Sequence, residues 1–144
     1  MTILFYIILT FTAIQLLVSL ANLLAETSLP ETRKIHSSLV SVLIPARNEE
    51  NNIGNLLDDL RHQDYKNIEI VVYNDQSEDK TANIVGEYAR RDSRIRIIGS
   101  GLLPGGWLGK NFACHSLAGE AKGSYMLFLD ADVRVSGNLI GRSI

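Results

Sequence analysis

Short β-branched apolar runs alternate with amphipathic stretches, and each main run closes on a polar cluster; nothing else in this sequence constrains its fold as strongly. Leu39–Ile44 (LVSVLI) is nearly continuous in apolar residues, as expected of a strand covered on both faces, and Pro45 closes it. Ile53, Leu56, Leu57 and Leu60 then fall at i, i+3, i+4 and i+7, one stripe of a helix. Asn48 is placed to cap that helix, with Glu49 and Glu50 at the positive end of its dipole. Ile68–Tyr73 (IEIVVY) predicts a second strand ending at Asn74-Asp75. Ser77 is placed to cap a second helix, with Glu78 and Asp79 in its first turn and Ala82, Val85 and Ala89 on its inner face. Ile95–Ile98 predicts a third strand. A helix from about Asn111 to Lys122, ended by Gly123, leads to a fourth strand at Tyr125–Leu129. Such spacing predicts an α/β fold: a Rossmann-like parallel sheet with helices on both faces and right-handed crossovers.

Ahead of this pattern the first 25 residues carry no charged side chain. Ile3–Ala25 would make a helix of roughly 35 Å, enough to cross a hydrocarbon core of about 30 Å with some tilt. A cleaved signal peptide wants a basic start and a shorter apolar stretch, so an uncleaved single-pass anchor in the cell membrane is the better reading. Arg33, Lys34 and Arg47 follow the span and no basic side chain precedes it, which puts the remainder in the cytoplasm. The expected organisation is an anchor over 1–25, a polar linker over 26–38 and an α/β domain over 39–144.

Ligands on open parallel sheets bind outside the carboxyl ends of the strands, and the polar clusters follow those ends. Asp130 and Asp132 flank one residue after the fourth strand, where alternation would aim both carboxylates to one side to grip a hard cation. A divalent ion there can stabilise a nucleoside diphosphate as leaving group. Asp75 ends the second strand, where an acid commonly reads part of a nucleotide; with Ser77 it can equally build only a turn. The turn after the first strand, from Pro45 and Ala46 to Glu49, offers backbone amides and a carboxylate to the nucleoside, or simply a helix cap with a solvated Arg47. Lys110 follows a Gly-rich stretch, Gly99–Gly109, and would bring a point charge to a phosphate.

Other chemistries are excluded. Pro104 stands where a Walker loop or a dinucleotide fingerprint needs glycine. A net charge of −2 with no basic stripe argues against nucleic acid. Cys114 is the single cysteine, expected as a small buried apolar residue. His36, His62 and His115 share no metal-ligand spacing, and no G-x-S-x-G elbow occurs. A sugar nucleotidyltransferase would carry a Gly-rich basic loop directly after the first strand, where this chain has P-A-R-N-E.

Taken in order, VSVLIPARNEE (Val40–Glu50), VVYNDQSEDKT (Val71–Thr81), GWLGKNFAC (Gly106–Cys114) and YMLFLDADV (Tyr125–Val133) resemble the motifs of the family 2 glycosyltransferases. The G-W-x-G-K-x-x-A-C segment is most similar to the branch acting on carotenoid or hopanoid-type lipids. The resemblance implies the nucleotide-binding half of a GT-A fold, binding a nucleotide-diphosphate sugar, commonly a UDP-sugar, with Mn²⁺ or Mg²⁺. It implies that Asp75 contacts the base, Asp130 the ribose or the metal shell, and Asp132 the metal, with Lys110 near the base or diphosphate. Transfer in that family inverts the anomeric centre, and a membrane-held site suggests a lipid acceptor. The family's catalytic acid comes well after D-x-D, whereas Val133–Ile144 contains no acid, so acceptor half and base are expected to be missing here. The competing expectation is a non-catalytic, membrane-tethered nucleotide-sugar-binding module.

Overall fold

A computed structural model of the chain describes residues 2–25, 38–99 and 103–144. The linker expected over 26–38 lies outside the described residues except for Ser38, as do Arg33, Lys34, His36 and the middle of the Gly-rich stretch. Two compact units result, Met1–Glu31 and Thr32–Ile144. The first holds α1 (Thr2–Leu24), 23 residues with no charged side chain and none buried, long and apolar enough to cross a membrane.

The second unit is built on four parallel strands: β1 (Val40–Ala46), β2 (Ile68–Asn74), β3 (Ile95–Gly99) and β4 (Tyr125–Phe128), in the spatial order β3-β2-β1-β4. Helices α2 (Ile53–Arg61) and α3 (Thr81–Arg91) join the first three strands, α4 (Gly109–Glu120) precedes β4, and the short α5 (Leu139–Ser143) follows it. Side chains alternate across β1. Val40, Val42 and Ile44 pack with Ile53, Leu56, Leu57, Leu60, Val85 and Ile140, while Leu43 packs with Val71, Ala113 and Leu117 on the face covered by α4. Each buried leucine of the α2 stripe contributes about 1.5–3 kcal/mol by leaving water, which is why that helix forms without a side-chain cap. The expected α/β architecture with helices on both faces is what the chain adopts.

Pro45 does not end β1, which runs one residue further, to Ala46. In a parallel ladder alternate residues bond to opposite neighbours. The Asp75 amide donates to Ala46 O and the Leu129 amide to Leu43 O, so Pro45 faces the β4 side. Pairing with β4 stops at Leu43↔Phe128, so the missing N–H of Pro45 costs the ladder nothing. Gly123 was expected to cap α4, but the helix already ends at Glu120. Its role is close approach: a Cβ there would lie 2.6 Å from Leu39 O and 2.7 Å from Ser41 N, where the chain crosses under β1 to begin β4. Cys114 is half-buried rather than buried.

Candidate functional site

The chain order turns back at β1: β2 and β3 are laid down on one side of it, and β4 returns to the other. Loops leaving β1 and β4 therefore diverge, opening a crevice beyond their carboxyl ends. A cleft of about 440 Å³ occupies that place, lined by Pro45, Ala46, Arg47, Glu49, Asp75, Gly109, Lys110, Ala113, Asp130, Ala131 and Asp132. All seven residues selected from sequence (Pro45, Ala46, Glu49, Asp75, Lys110, Asp130 and Asp132) line it. Arg47, Gly109, Ala113 and Ala131 also line it and were not among them.

The floor is set by backbone. The Asp75 amide donates to Ala46 O at 2.9 Å, locking the ends of β1 and β2 together beneath the Asp75 carboxylate. Arg47 Nη1 stands 3.9 Å from Asp75 Oδ2. The walls above are two loops laced to each other rather than two capped helices. The Ser77 hydroxyl accepts the Asn48 amide (3.0 Å), Asn48 Oδ1 accepts the Glu78 amide (2.8 Å), Thr81 Oγ1 accepts the Glu49 amide (2.8 Å), and Glu50 and Asp79 accept the amides of Lys80 and Glu50. The caps expected at Asn48 and Ser77 are thus replaced: α2 starts only at Ile53 and α3 at Thr81, with no acid in either first turn. Asn48 and Gln76 sit at φ 55° and 53°, left-handed turns, and the Asn48 side chain reaches across the gap to the Glu78 amide. Glu49 accepts the Asn52 side-chain amide at 2.9 Å, which fixes its carboxylate at the cleft margin.

Asp130 and Asp132 reach the cleft by a turn, since β4 ends at Phe128 and strand alternation does not extend to them. Ala131 between them is buried, so the two carboxylates are left facing outward. Beyond the turn, Asp59 of α2 clamps the chain: Arg134 donates Nε to Oδ2 (2.6 Å) and Nη2 to Oδ1 (2.9 Å), and the Val135 amide adds 3.0 Å to Oδ2. The Arg134 hydrogen bonds hold the Asp59 carboxyl below its usual value against its burial, so the clamp stays ionised. This clamp had no sequence signal, because Asp59 reads as one more exposed acid on the polar side of α2.

Lys110, in the first turn of α4, donates to Asp130 Oδ1 at 2.6 Å, and that carboxylate holds the ammonium above its usual pKa. A positive charge on Asp130 is what two neighbouring carboxylates call for. Among the described residues no three His, Cys, Asp or Glu side chains gather to hold a metal unaided. Asp130 and Asp132 fit a hard divalent ion that takes its remaining oxygens from phosphates and water, the mode in which such ions commonly meet one or two carboxylates.

An open parallel sheet with an acid-lined crevice at its switch point defines a ligand-binding α/β domain. Its affiliation is narrower: residues 41–144 match the Glycosyl transferase family 2 domain, and the chain belongs to that family. It is 35% identical over 97 residues to a 4,4'-diaponeurosporenoate glycosyltransferase of Staphylococcus haemolyticus, covering 67% of this chain and 25% of that protein. It resembles Staphylococcus aureus TarS (residues 1–349, solved with UDP), with a TM-score of 0.60 and 29% identity over 72% of this chain and 30% of the other. A mannosyltransferase of Pyrobaculum calidifontis, solved with GDP-Man and Mn²⁺, shares the fold at a TM-score of 0.70 and 22% identity, over 92% of this chain and 39% of that one. The chain thus spans about a quarter of the curated relative's length.

Proposed function

We propose that this chain carries the donor-binding part of a membrane-anchored glycosyltransferase, holding a nucleotide-diphosphate sugar, preferably a UDP-sugar, in the cleft beyond β1 and β4. The observation that carries this reading is the convergence on one crevice of nucleotide size of Asp75 after β2, Lys110 in α4, and Asp130 and Asp132 on the turn after β4. Asp75 accepts hydrogen bonds from the base, and Pro45, Ala46 and Glu49 border the nucleoside. Asp130 serves the ribose or the metal shell, Asp132 binds Mn²⁺ or Mg²⁺, and Lys110 turns from Asp130 toward the diphosphate. The ion supplies charge neutralisation of the departing diphosphate. In the transfer the acceptor hydroxyl attacks the anomeric carbon from the face opposite the diphosphate, so the new glycosidic bond forms as the sugar–phosphate bond breaks, with inversion. The acceptor's proton passes to a base outside the set assigned here.

α1 is read as a membrane span, with the α/β unit on the cytoplasmic side, and attachment to a bilayer favours a lipid acceptor. The relative's name supports that choice, as it specifies transfer to an apolar carotenoid acid. The decisive experiment is calorimetric titration of UDP, with and without Mn²⁺, into the 144-residue chain in detergent micelles. Wild type should bind in a Mn²⁺-dependent manner, and Asp132→Asn should lose about tenfold or more of that affinity. Equal binding by both, or none by wild type, would sink the assignment.

A further inference from the structure

Gly109 begins α4 at a position where helix propensity alone would favour alanine. Its φ is not in the left-handed region, so the backbone conformation does not demand glycine. What a side chain here would meet is a single residue. A Cβ built on Gly109 would lie 2.9 Å from Asp75 Oδ2, 3.7 Å from Asp75 Cγ and 3.9 Å from Asp75 Oδ1, with no other residue among those nearest atoms. The Asp75 main chain is held separately, by its amide bond to Ala46 O at the end of β1. An added methyl group would therefore meet the one part of Asp75 that can rotate, its carboxylate. Arg47 Nη1 stands 3.9 Å from the same Oδ2, so both a bare Cα and a guanidinium border that oxygen.

We propose that Gly109 is a positioning residue for the nucleotide: its missing side chain leaves the place in which the Asp75 carboxylate points into the cleft. The inference rests on the nucleotide-site reading above and deepens it. Gly109 touches no ligand itself; it acts through Asp75. It adds a constraint on the G-K pair that is independent of the lysine's charge, since Lys110 serves Asp130 while Gly109 serves Asp75.

The test is a double-mutant cycle on the full chain in micelles: wild type, Gly109→Ala, Asp75→Ala and the double variant, each titrated with UDP and with inorganic diphosphate in the presence of Mn²⁺. Melting of each variant is followed in parallel. Gly109→Ala should melt at or above the wild-type temperature, because alanine suits a helix better than glycine. It should lose about tenfold in UDP affinity, the scale of one charged hydrogen bond, and keep its affinity for diphosphate, which lacks a base. In the Asp75→Ala background the same change should cost nothing further. The proposal is overturned if Gly109→Ala binds UDP like wild type, weakens diphosphate equally, adds its full effect to Asp75→Ala, or fails to fold. Absence of UDP binding by wild type would instead remove the nucleotide site itself, and this inference with it.

Discussion

Glu69, near the start of β2, gathers three elements at the end of the sheet opposite the cleft. Its Oε1 accepts the Ser41 hydroxyl of β1 at 2.5 Å and the Lys122 amide behind α4 at 2.6 Å, while Arg96 of β3 stands 3.6 Å from Oε2. Burial pushes this carboxyl up, but the Ser41 and Lys122 donors and the Arg96 charge outweigh it and leave its pKa lowered. The folded value thus lies below the unfolded one of about 4.3, so the stabilisation is complete above that pH and fades as pH falls through the folded value. Glu69→Gln should be less stable than wild type at neutral pH, and the gap should close as both are acidified below about pH 4. Urea unfolding of both proteins at the two pH values checks this; a gap independent of pH would contradict it. None of this was legible in sequence, because Ser41 and Glu69 are brought side by side only by the β1–β2 register.

Among the described elements, apolar runs and stripes were sufficient to locate the four strands and the helices α2 and α3, since burial on a sheet face decides them, whereas the short α5 was not foreseen. Their boundaries were not, and the residues at fault are specific. Asn48, Ser77 and Asp79 have the chemistry of helix caps, yet each spends its side chain on an amide. For Asn48 and Ser77 that amide belongs wholly to the facing loop, and Asp79 divides its two oxygens between Thr81 and Glu50. A sequence shows which side chains can cap; it does not show which of two nearby loops supplies the donor. Thr81 is the buried hub of this lacing, accepting the Glu49 amide while donating to Asp79 Oδ1. Thr81→Val keeps the shape and leaves the Glu49 amide without its acceptor, which should cost about 1–3 kcal/mol. Chemical unfolding measures that cost. The same variant should weaken UDP binding, because the Glu49 loop borders the cleft; unaltered stability would show that the lacing is dispensable.

For the molecule as a whole, the family could be read from four ordered motifs because they are the three strand ends and the helix start that build the cleft. What the motifs could not convey is how closely their residues meet. The approach of Gly109 to Asp75 and the seating of Lys110 on Asp130 depend on how α4 packs over β1 and β2, a property of the assembled layers. The same packing leaves β4 bare on that face: Met126 and Phe128 are 53% and 44% exposed, at the edge of the sheet. Apolar edge strands are templates for association. Replacing Met126 with Lys should reduce self-association of the micelle-held chain and its binding of a hydrophobic dye without changing UDP affinity. Sedimentation and dye fluorescence would register the change, and unchanged association would show that the edge is not the adhesive surface.

The strand order also has a consequence for how the molecule comes into being. As the chain leaves the ribosome, β1, β2 and β3 can pair while β4 is still being made, and the bond from the Asp75 amide to Ala46 O needs only the first two of them. The crevice does not yet exist, for one of its two banks follows β4, which is made after the other three strands. On the proposed reading of the cleft, a nucleotide that binds only the complete crevice favours the state in which β4 has joined the sheet.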